Sequence, residues 1–210
     1  MQNTLTFSDS ISSPISRPWT MAARVISDLF SPAAVAIPCI LLCVLASDVP
    51  GTYWYGLLYF AIAIPLPVAY VVWLVQSGRV ADFHLPDRRD RAVPFAITII
   101  CALSALAVLM WLRAPSAIMA PIIAALGQTA LLFLITLVWQ ISIHASTTTA
   151  LVTFAVLALG TEATVLAVLI PVVGWARIHL GRHNMTQILA GALVGLLCFG
   201  SLFVLRGIVW

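Results

Sequence analysis

Long apolar runs separated by short polar segments dominate the chain from residue 29 onward. A helix needs about 20 apolar residues to cross the hydrocarbon core of a bilayer. Five runs have about that length, and two shorter ones flank the polar pair Thr161-Glu162. The five long runs are 29–47, 53–76, 94–112, 116–139 and 186–206, and the two shorter ones are 145–160 and 163–178. This pattern predicts an all-α, polytopic transmembrane helix bundle with about seven membrane helices, six or seven in number.

The N-terminal segment has a different composition from the rest of the chain. Residues 1–20 are polar and rich in Ser and Thr. We therefore predict a flexible N-terminal tail over 1–28, followed by a single transmembrane helical domain over 29–210. Neither an internal repeat nor a linker interrupts this domain.

The composition strengthens the membrane prediction. Apolar residues make up 62% of the chain, charged residues 8%, and the mean hydropathy is +1.10. Soluble globular chains carry about 25% charged residues. A cytosolic enzyme, a secreted disulfide scaffold and a nucleic-acid-binding protein are thereby excluded. We expect a multi-pass integral membrane protein whose first partner is the lipid bilayer, in the plasma (inner) membrane if the source is bacterial; the oligomeric state stays open.

The few charged residues are unevenly distributed. All ten basic residues are Arg, and the chain has no Lys. Seven alternating crossings would place most Arg and all four His on or just beneath one membrane face, leaving Arg113 and Arg206 on the other. This face would carry Arg17, Arg24, Arg79, Arg88, Arg89, Arg91, Arg177, Arg182, His84, His144, His179 and His183. Because six of these Arg are candidates for chemistry, the positive-inside rule does not decide the orientation.

Three polar clusters lie on this face: an Arg-rich loop over 78–94, a Ser/Thr-rich helix start over 140–149, and the segment 177–187. Planar guanidinium groups match phosphate oxygens well, and free N–H groups at a helix start favour anions. The first cluster has a structural alternative, a salt-bridged solvated loop or a lipid-headgroup contact. In the second, His144 could instead be a hydrogen-bonded structural residue.

The third cluster carries the clearest candidate for a nucleophile. His183 and Gln187 are four residues apart, so on a helix the amide could orient the imidazole ring. Arg177 and Arg182 lie close in sequence and indicate anion binding. Positive charge near a histidine would stabilise a phosphoryl group during its transfer to the ring.

The order and spacing of these residues are similar to the signatures of the type 2 phosphatidate phosphatase family of membrane lipid phosphatases. In the third cluster, five residues separate Arg177 from His183, and three separate His183 from Gln187. In the second, Ser142 precedes His144 by two positions. The resemblance implies that His183 attacks phosphorus to form a phospho-histidine and that His144 protonates the leaving group.

The Arg-rich loop is the loosest of the three matches, and the resemblance extends over about residues 78–195. It implies that phosphate oxygens are bound by Arg91, Arg177 and the Ser142 region, with His84, Arg88 and Arg89 as candidates for the role of the family's lysine. The family chemistry needs no metal or other cofactor, and no metal-ligand spacing is apparent in the sequence. Lipids such as phosphatidate, phosphatidylglycerol phosphate and polyprenyl diphosphate present the same phosphate end to such a site.

Three departures from the family pattern keep other functions open. Gln187 stands where the family has Asp, Ile143 stands where it has Gly, and no Lys is present for the role of the family's lysine. An amide cannot supply the negative charge that stabilises a histidine cation. A non-catalytic lipid-phosphate-binding or transport protein is therefore the main alternative. A prenyltransferase is disfavoured, since Asp82, Asp87 and Asp90 form only one acidic group where paired magnesium-binding motifs are needed.

Overall fold

A computed structural model describes residues 16–80, 82–83, 85 and 87–204. Within these ranges the chain is helical and has no strand, which confirms the predicted all-α class. Two 3-10 helices span Arg89–Arg91 and Thr161–Val168. The α-helices are α1 Ser16–Leu29, α2 Pro32–Leu45, α3 Thr52–Ala63, α4 Pro65–Gln76, α5 Ala92–Trp111, α6 Ser116–Val138, α7 Ile143–Leu159, α8 Leu169–His179 and α9 Met185–Val204.

The helices follow the predicted apolar runs closely. In the described part of the chain, five helical stretches are long and apolar enough to cross a membrane. They are Thr52–Gln76, Arg89–Trp111, Ser116–Val138, Thr161–His179 and Met185–Val204. The bent pair Pro18–Leu29 and Pro32–Leu45 brings the number to six if it counts as one span. Helix α7 is apolar but shorter, so the expected count of seven is approximate.

Residues 16–28 differ from the predicted flexible tail, because they form most of helix α1. Ala23 and Ser27 are buried on one side of this helix, whereas Met21 and Val25 are exposed on another. Trp19 packs edge-on against Trp175 of α8, with ring centroids 6.1 Å apart. The tail prediction is wrong for these residues because it weighs polar composition and misses the helical spacing of the apolar residues. An exposed apolar strip on a polar helix is typical of helices at a membrane surface.

Helices α7 and α9 approach each other more closely than ordinary side chains allow. Gly191 and Gly195 are four residues apart and share one face of α9. A Cβ atom at Gly191 would overlap the backbone carbonyl oxygen of Ser142, and one at Gly195 would overlap that of Ser146. Small residues at this spacing allow close contact between membrane helices. The glycines therefore fix the position of the N-terminal end of α7 beside α9.

We expect Gly195→Ala to destabilise the protein, because the new methyl group would push α9 away from the backbone of α7. Overpacking of this kind costs about 1–3 kcal/mol. The thermal unfolding midpoint in detergent, followed by circular dichroism, measures the effect. Gly200→Ala on the same helix is the matched control, since a Cβ there meets nothing within 4 Å. Equal midpoints for the two variants would contradict the proposed close packing.

Candidate active site

Helix α9 begins with a capping box that also holds His183. The Asn184 side-chain oxygen accepts a hydrogen bond from the Gln187 backbone N–H at 3.0 Å, and Gln187 Oε1 accepts one from the Asn184 N–H at 3.2 Å. Such reciprocal bonds satisfy backbone donors that a helix start leaves unpaired. The same Gln187 oxygen lies 3.0 Å from His183 Nδ1. The Gln187 side chain thus both caps the start of α9 and holds the His183 ring.

These contacts define the tautomer of His183. Because Gln187 Oε1 accepts the Asn184 N–H, it is also the acceptor facing His183 Nδ1, which must carry the proton. A neutral imidazole protonated at Nδ1 has its free lone pair on Nε2. Burial, together with the charges of Arg177, Arg91 and Arg182, lowers the pKa of His183 from its ordinary 6.5 to about 4, against the opposing effect of the Gln187 hydrogen bond. His183 is therefore a neutral base at pH 7.

A tight turn ties His183 to the end of α8. Gly181 has a φ of 65°, a left-handed conformation that glycine adopts without steric cost. The turn lets the backbone carbonyl of Arg177 accept the N–H groups of Arg182 at 3.0 Å and of His183 at 3.4 Å. The positions of Arg177 and His183 are consequently linked through the main chain.

Arg91 is almost fully buried, with 3% of its surface exposed, and the loop before α5 holds it. Its Nε donates to the carbonyl of Leu85 at 2.7 Å, and its Nη1 donates to the carbonyl of Ile141 at 3.4 Å. Leu85 has a φ of 45°, which is a costly conformation for a residue with a side chain. The strained residue is therefore the one whose carbonyl holds the Arg91 guanidinium.

Arg177 is the largest fully buried side chain in the described ranges. Its Nη1 donates a 2.6 Å hydrogen bond to the hydroxyl of Ser27 on α1. Its Nε is buried and has no hydrogen-bond partner among the described residues. A buried cationic donor without a partner is costly unless a ligand supplies an acceptor. Arg177 is thus suited to bind an anion.

Arg182 and the start of α7 complete the surroundings of His183. Arg182 pairs with Asp82 in the loop before α5, and both side chains are 29% exposed. Ser142 is the N-cap of α7 and accepts the N–H of Ala145 at 3.4 Å, which places His144 in the first turn of that helix. The Ser142 N–H donates to the backbone carbonyl of Gln187 at 3.2 Å. The starts of α7 and α9 are thereby joined next to His183.

The remaining predicted site residues have other positions. Arg88 donates to the carbonyls of Thr136 and Leu137, so it caps the C-terminal end of α6. Arg89 is exposed, and its described hydrogen bond runs from its backbone N–H to Asp87 at 2.9 Å. Neither lines the cavity described below. Their expected lysine-like role is not supported, because Arg88 caps α6 and Arg89 is exposed to solvent. His84 lies outside the described residues.

A largely apolar cavity of about 320 Å³ begins at this cluster. Arg91, His144, Arg177 and His183 all line it. Its other walls come mostly from apolar side chains of α2 to α7 and reach Phe199 of α9. Phe199 lies 14 residues beyond Met185, the first residue of α9, and therefore stands about 21 Å along that helix from the end beside His183. The site thus joins a cationic pocket to a long apolar space.

A second, more polar cavity of about 750 Å³ also borders Arg177. Ser31, Phe83 and Arg177 line both cavities and form the wall between them. The candidate site therefore adjoins an apolar space on one side and a polar one on the other. The rest of the second lining is mostly polar and includes Arg24, Ser27, Asp28, Asp82, His179 and Arg182.

Metal ligands are not grouped in this region. Within 16–80, 82–83, 85 and 87–204, no set of three or more His, Cys, Asp or Glu side chains lies close enough together to hold a metal ion. The groups that the site does offer are guanidinium donors, imidazole rings and helix-terminal N–H groups, which suit an anionic ligand.

Ser27 is a site residue that sequence reasoning misses. The predicted tail includes it, yet it is 1% exposed and contacts Arg177. The helical spacing of Trp19, Ala23 and Ile26 is a signal that could reveal α1. No local pattern in the sequence pairs residues 27 and 177, so this contact emerges only from the fold.

The fold and the site define a helical membrane protein with a buried, cationic, histidine-containing site suited to phosphate. The family model of the PAP2 superfamily matches residues 135–208, which include His144, Arg177, His183 and Gln187. The match confirms the predicted resemblance to type 2 phosphatidate phosphatases in this part of the chain. At the level of the superfamily, it supports a phosphatase-type fold and phosphoric ester hydrolysis. Neither the curated proteins nor the solved structures give a match.

Proposed function

We propose that the protein is a membrane-embedded lipid phosphate phosphatase that hydrolyses a phosphomonoester or diphosphate through a phospho-histidine on His183. The observation that carries this proposal is the His183 ring, which is held by Gln187 Oε1 at 3.0 Å and lines one cavity together with Arg91, His144 and Arg177. A neutral imidazole is a nucleophile, and the guanidinium groups would stabilise the charge of the phosphoryl group during transfer.

The reaction would proceed in two balanced steps. In the first, the His183 Nε2 lone pair forms a bond to phosphorus while the bond to the leaving oxygen breaks, and protonated His144 gives that oxygen a proton. In the second, His144 takes a proton from water, the water oxygen attacks phosphorus, and the bond to Nε2 breaks. Inorganic phosphate is released, and both histidines return to their starting states.

The apolar cavity supports a lipid as the substrate. It leads from the residues that would bind phosphate into the interior of the bundle, where a hydrocarbon chain would be shielded from water. Phosphatidate, phosphatidylglycerol phosphate and polyprenyl diphosphate all combine a phosphate end with such a chain. The phosphate contacts would therefore be common to these substrates, and the fit of the chain would discriminate among them.

The direct test is phosphate release from a panel of these lipids by the purified protein, with EDTA present. We expect turnover of at least one lipid phosphate and inhibition by vanadate, which mimics the transition state of phosphoryl transfer. A labelled phospho-histidine trapped at His183 would identify the intermediate. Saturable binding of the lipids without turnover would instead favour the non-catalytic lipid-phosphate-binding protein, an alternative that the amide of Gln187 keeps in consideration.

The lowered pKa of His183 predicts an unusual titration. Since the ring stays neutral until the pH falls to about 4, its protonation should be complete only below that value. Nuclear magnetic resonance of protein labelled at its four His measures the midpoint, and His183→Asn identifies the resonance by its loss. A midpoint near 6.5 would contradict the expected effect of burial and of the Arg charges on the ring.

A further inference from the structure

Helix α1 lies outside the segment that the family model matches, yet it contacts the candidate site at one buried point. Ser27 and Arg177 are 150 residues apart in sequence and are joined by a 2.6 Å hydrogen bond. Both side chains are almost completely removed from solvent, with 1% and 2% of their surfaces exposed. A buried hydrogen bond to a charged group is stronger than an exposed or neutral one.

We propose that Ser27 is a positioning residue that orients the Arg177 guanidinium for phosphate binding; this inference rests on the proposed function of the site. An Arg side chain has several rotatable bonds, and fixing it costs conformational entropy. By accepting a hydrogen bond from Nη1, the Ser27 hydroxyl holds one edge of the planar group in place. The Nε donor, which has no partner among the described residues, then stays available for a phosphate oxygen.

The packing of α1 explains why the contact would be maintained. Trp19 packs on Trp175 two residues before Arg177, and Thr20 Oγ1 lies 3.3 Å from His179 Nε2 two residues after it. Contacts on both sides of Arg177 therefore fix the register of α1 against α8. Because Ser27 is joined to the site through Arg177, its effect on a bound phosphate would be indirect.

The test uses the whole 210-residue chain and two readouts: calorimetric binding of inorganic phosphate, and steady-state turnover of a lipid phosphate. We expect Ser27→Ala to weaken phosphate binding by about tenfold and to raise KM more than it lowers kcat. Ser104→Ala is the matched control, because Ser104 is an exposed serine of α5 whose hydroxyl donates to Ile100 within its own helix. Equal melting midpoints would show that both variants are folded.

A double-mutant cycle separates positioning from a general structural effect. If Ser27 acts through Arg177, Ser27→Ala should have no further effect on binding in an Arg177→Gln background. Ser27→Thr restores a hydroxyl at this position. A Ser27→Thr protein with an unchanged melting midpoint, which shows that the added methyl group fits, should recover phosphate binding. Losses that multiply in the double variant would overturn the inference, as would wild-type phosphate affinity in a folded Ser27→Ala protein.

The two readouts distinguish this inference from the proposed function. Phosphate binding that depends on Ser27, without turnover of any lipid phosphate, would support the positioning role and reject the phosphatase. Turnover of a lipid phosphate that is insensitive to Ser27→Ala would support the phosphatase and reject the positioning role. A wild-type protein that neither binds phosphate nor turns over a lipid phosphate would overturn both.

Discussion

His183→Ala is expected to abolish phosphate release, with a loss of about ten-thousand-fold or more in kcat, because the ring that would carry the phosphoryl group is removed. The measurement is steady-state release of phosphate from the best lipid of the panel. His183 also contacts Gln187, but the capping box of Asn184 and Gln187 needs no imidazole. The variant should therefore retain its helices and its thermal unfolding midpoint.

The matched control is His179→Ala. His179 is a neighbouring histidine at the end of α8, and its ring stacks on Trp175 at a centroid distance of 5.3 Å. We expect this variant to keep much more activity than His183→Ala, because His179 lines only the polar cavity and the Trp19–Trp175 contact still holds α1 against α8. Full activity in purified His183→Ala, or equal losses in both variants, would exclude His183 as the nucleophile.

Gln187→Glu is expected to raise kcat by at least about tenfold, because it adds a negative charge beside His183 that the amide of Gln187 cannot supply. Glutamate has the length of glutamine and also serves in a capping box, so the contacts to Asn184 and His183 can be retained. A carboxylate beside His183 stabilises the cation formed when the ring attacks phosphorus. It also raises the pKa of His183, so the acid limb of the pH–rate profile should move to higher pH.

Gln187→Met gives the opposite control, since methionine has a similar length but is a far weaker acceptor for the His183 hydrogen bond. We expect its kcat to fall below that of the wild type, which gives the order Glu, Gln, Met. An unchanged rate and pH profile in Gln187→Glu would indicate that the rate does not depend on charge beside His183. In that case the surrounding Arg residues, rather than the ring's partner, would control the reaction.

The membrane helices can be predicted from the sequence because their physical signal is local. Each long span is an apolar run of sufficient length, and the structure places helices over all of them. Helix α1 escapes prediction because its signal is weaker: many of its residues are polar or small, and only their spacing along the helix reveals a buried side. The same difference explains why the sequence predicts Thr52–Gln76 closely and Ser16–Leu29 poorly.

The candidate site is predictable only in part. His183 and Gln187 form a local pair whose spacing is visible in the sequence, and the structure joins them. Arg88 and Arg91 are chemically identical and three residues apart, yet one caps α6 and the other lines the cavity. The loop geometry that separates them includes the left-handed turn at Leu85, and that conformation follows from tertiary packing rather than from residue type.

The wall formed by Ser31, Phe83 and Arg177 has a consequence for the fate of the reaction products. Arg177 borders an apolar cavity on one side and a polar cavity on the other. Cleavage of a lipid phosphate at this boundary would leave the lipid alcohol in the apolar cavity and the phosphate ion beside the polar one. The two products of the proposed reaction would thus be separated by polarity at Arg177 as soon as they form.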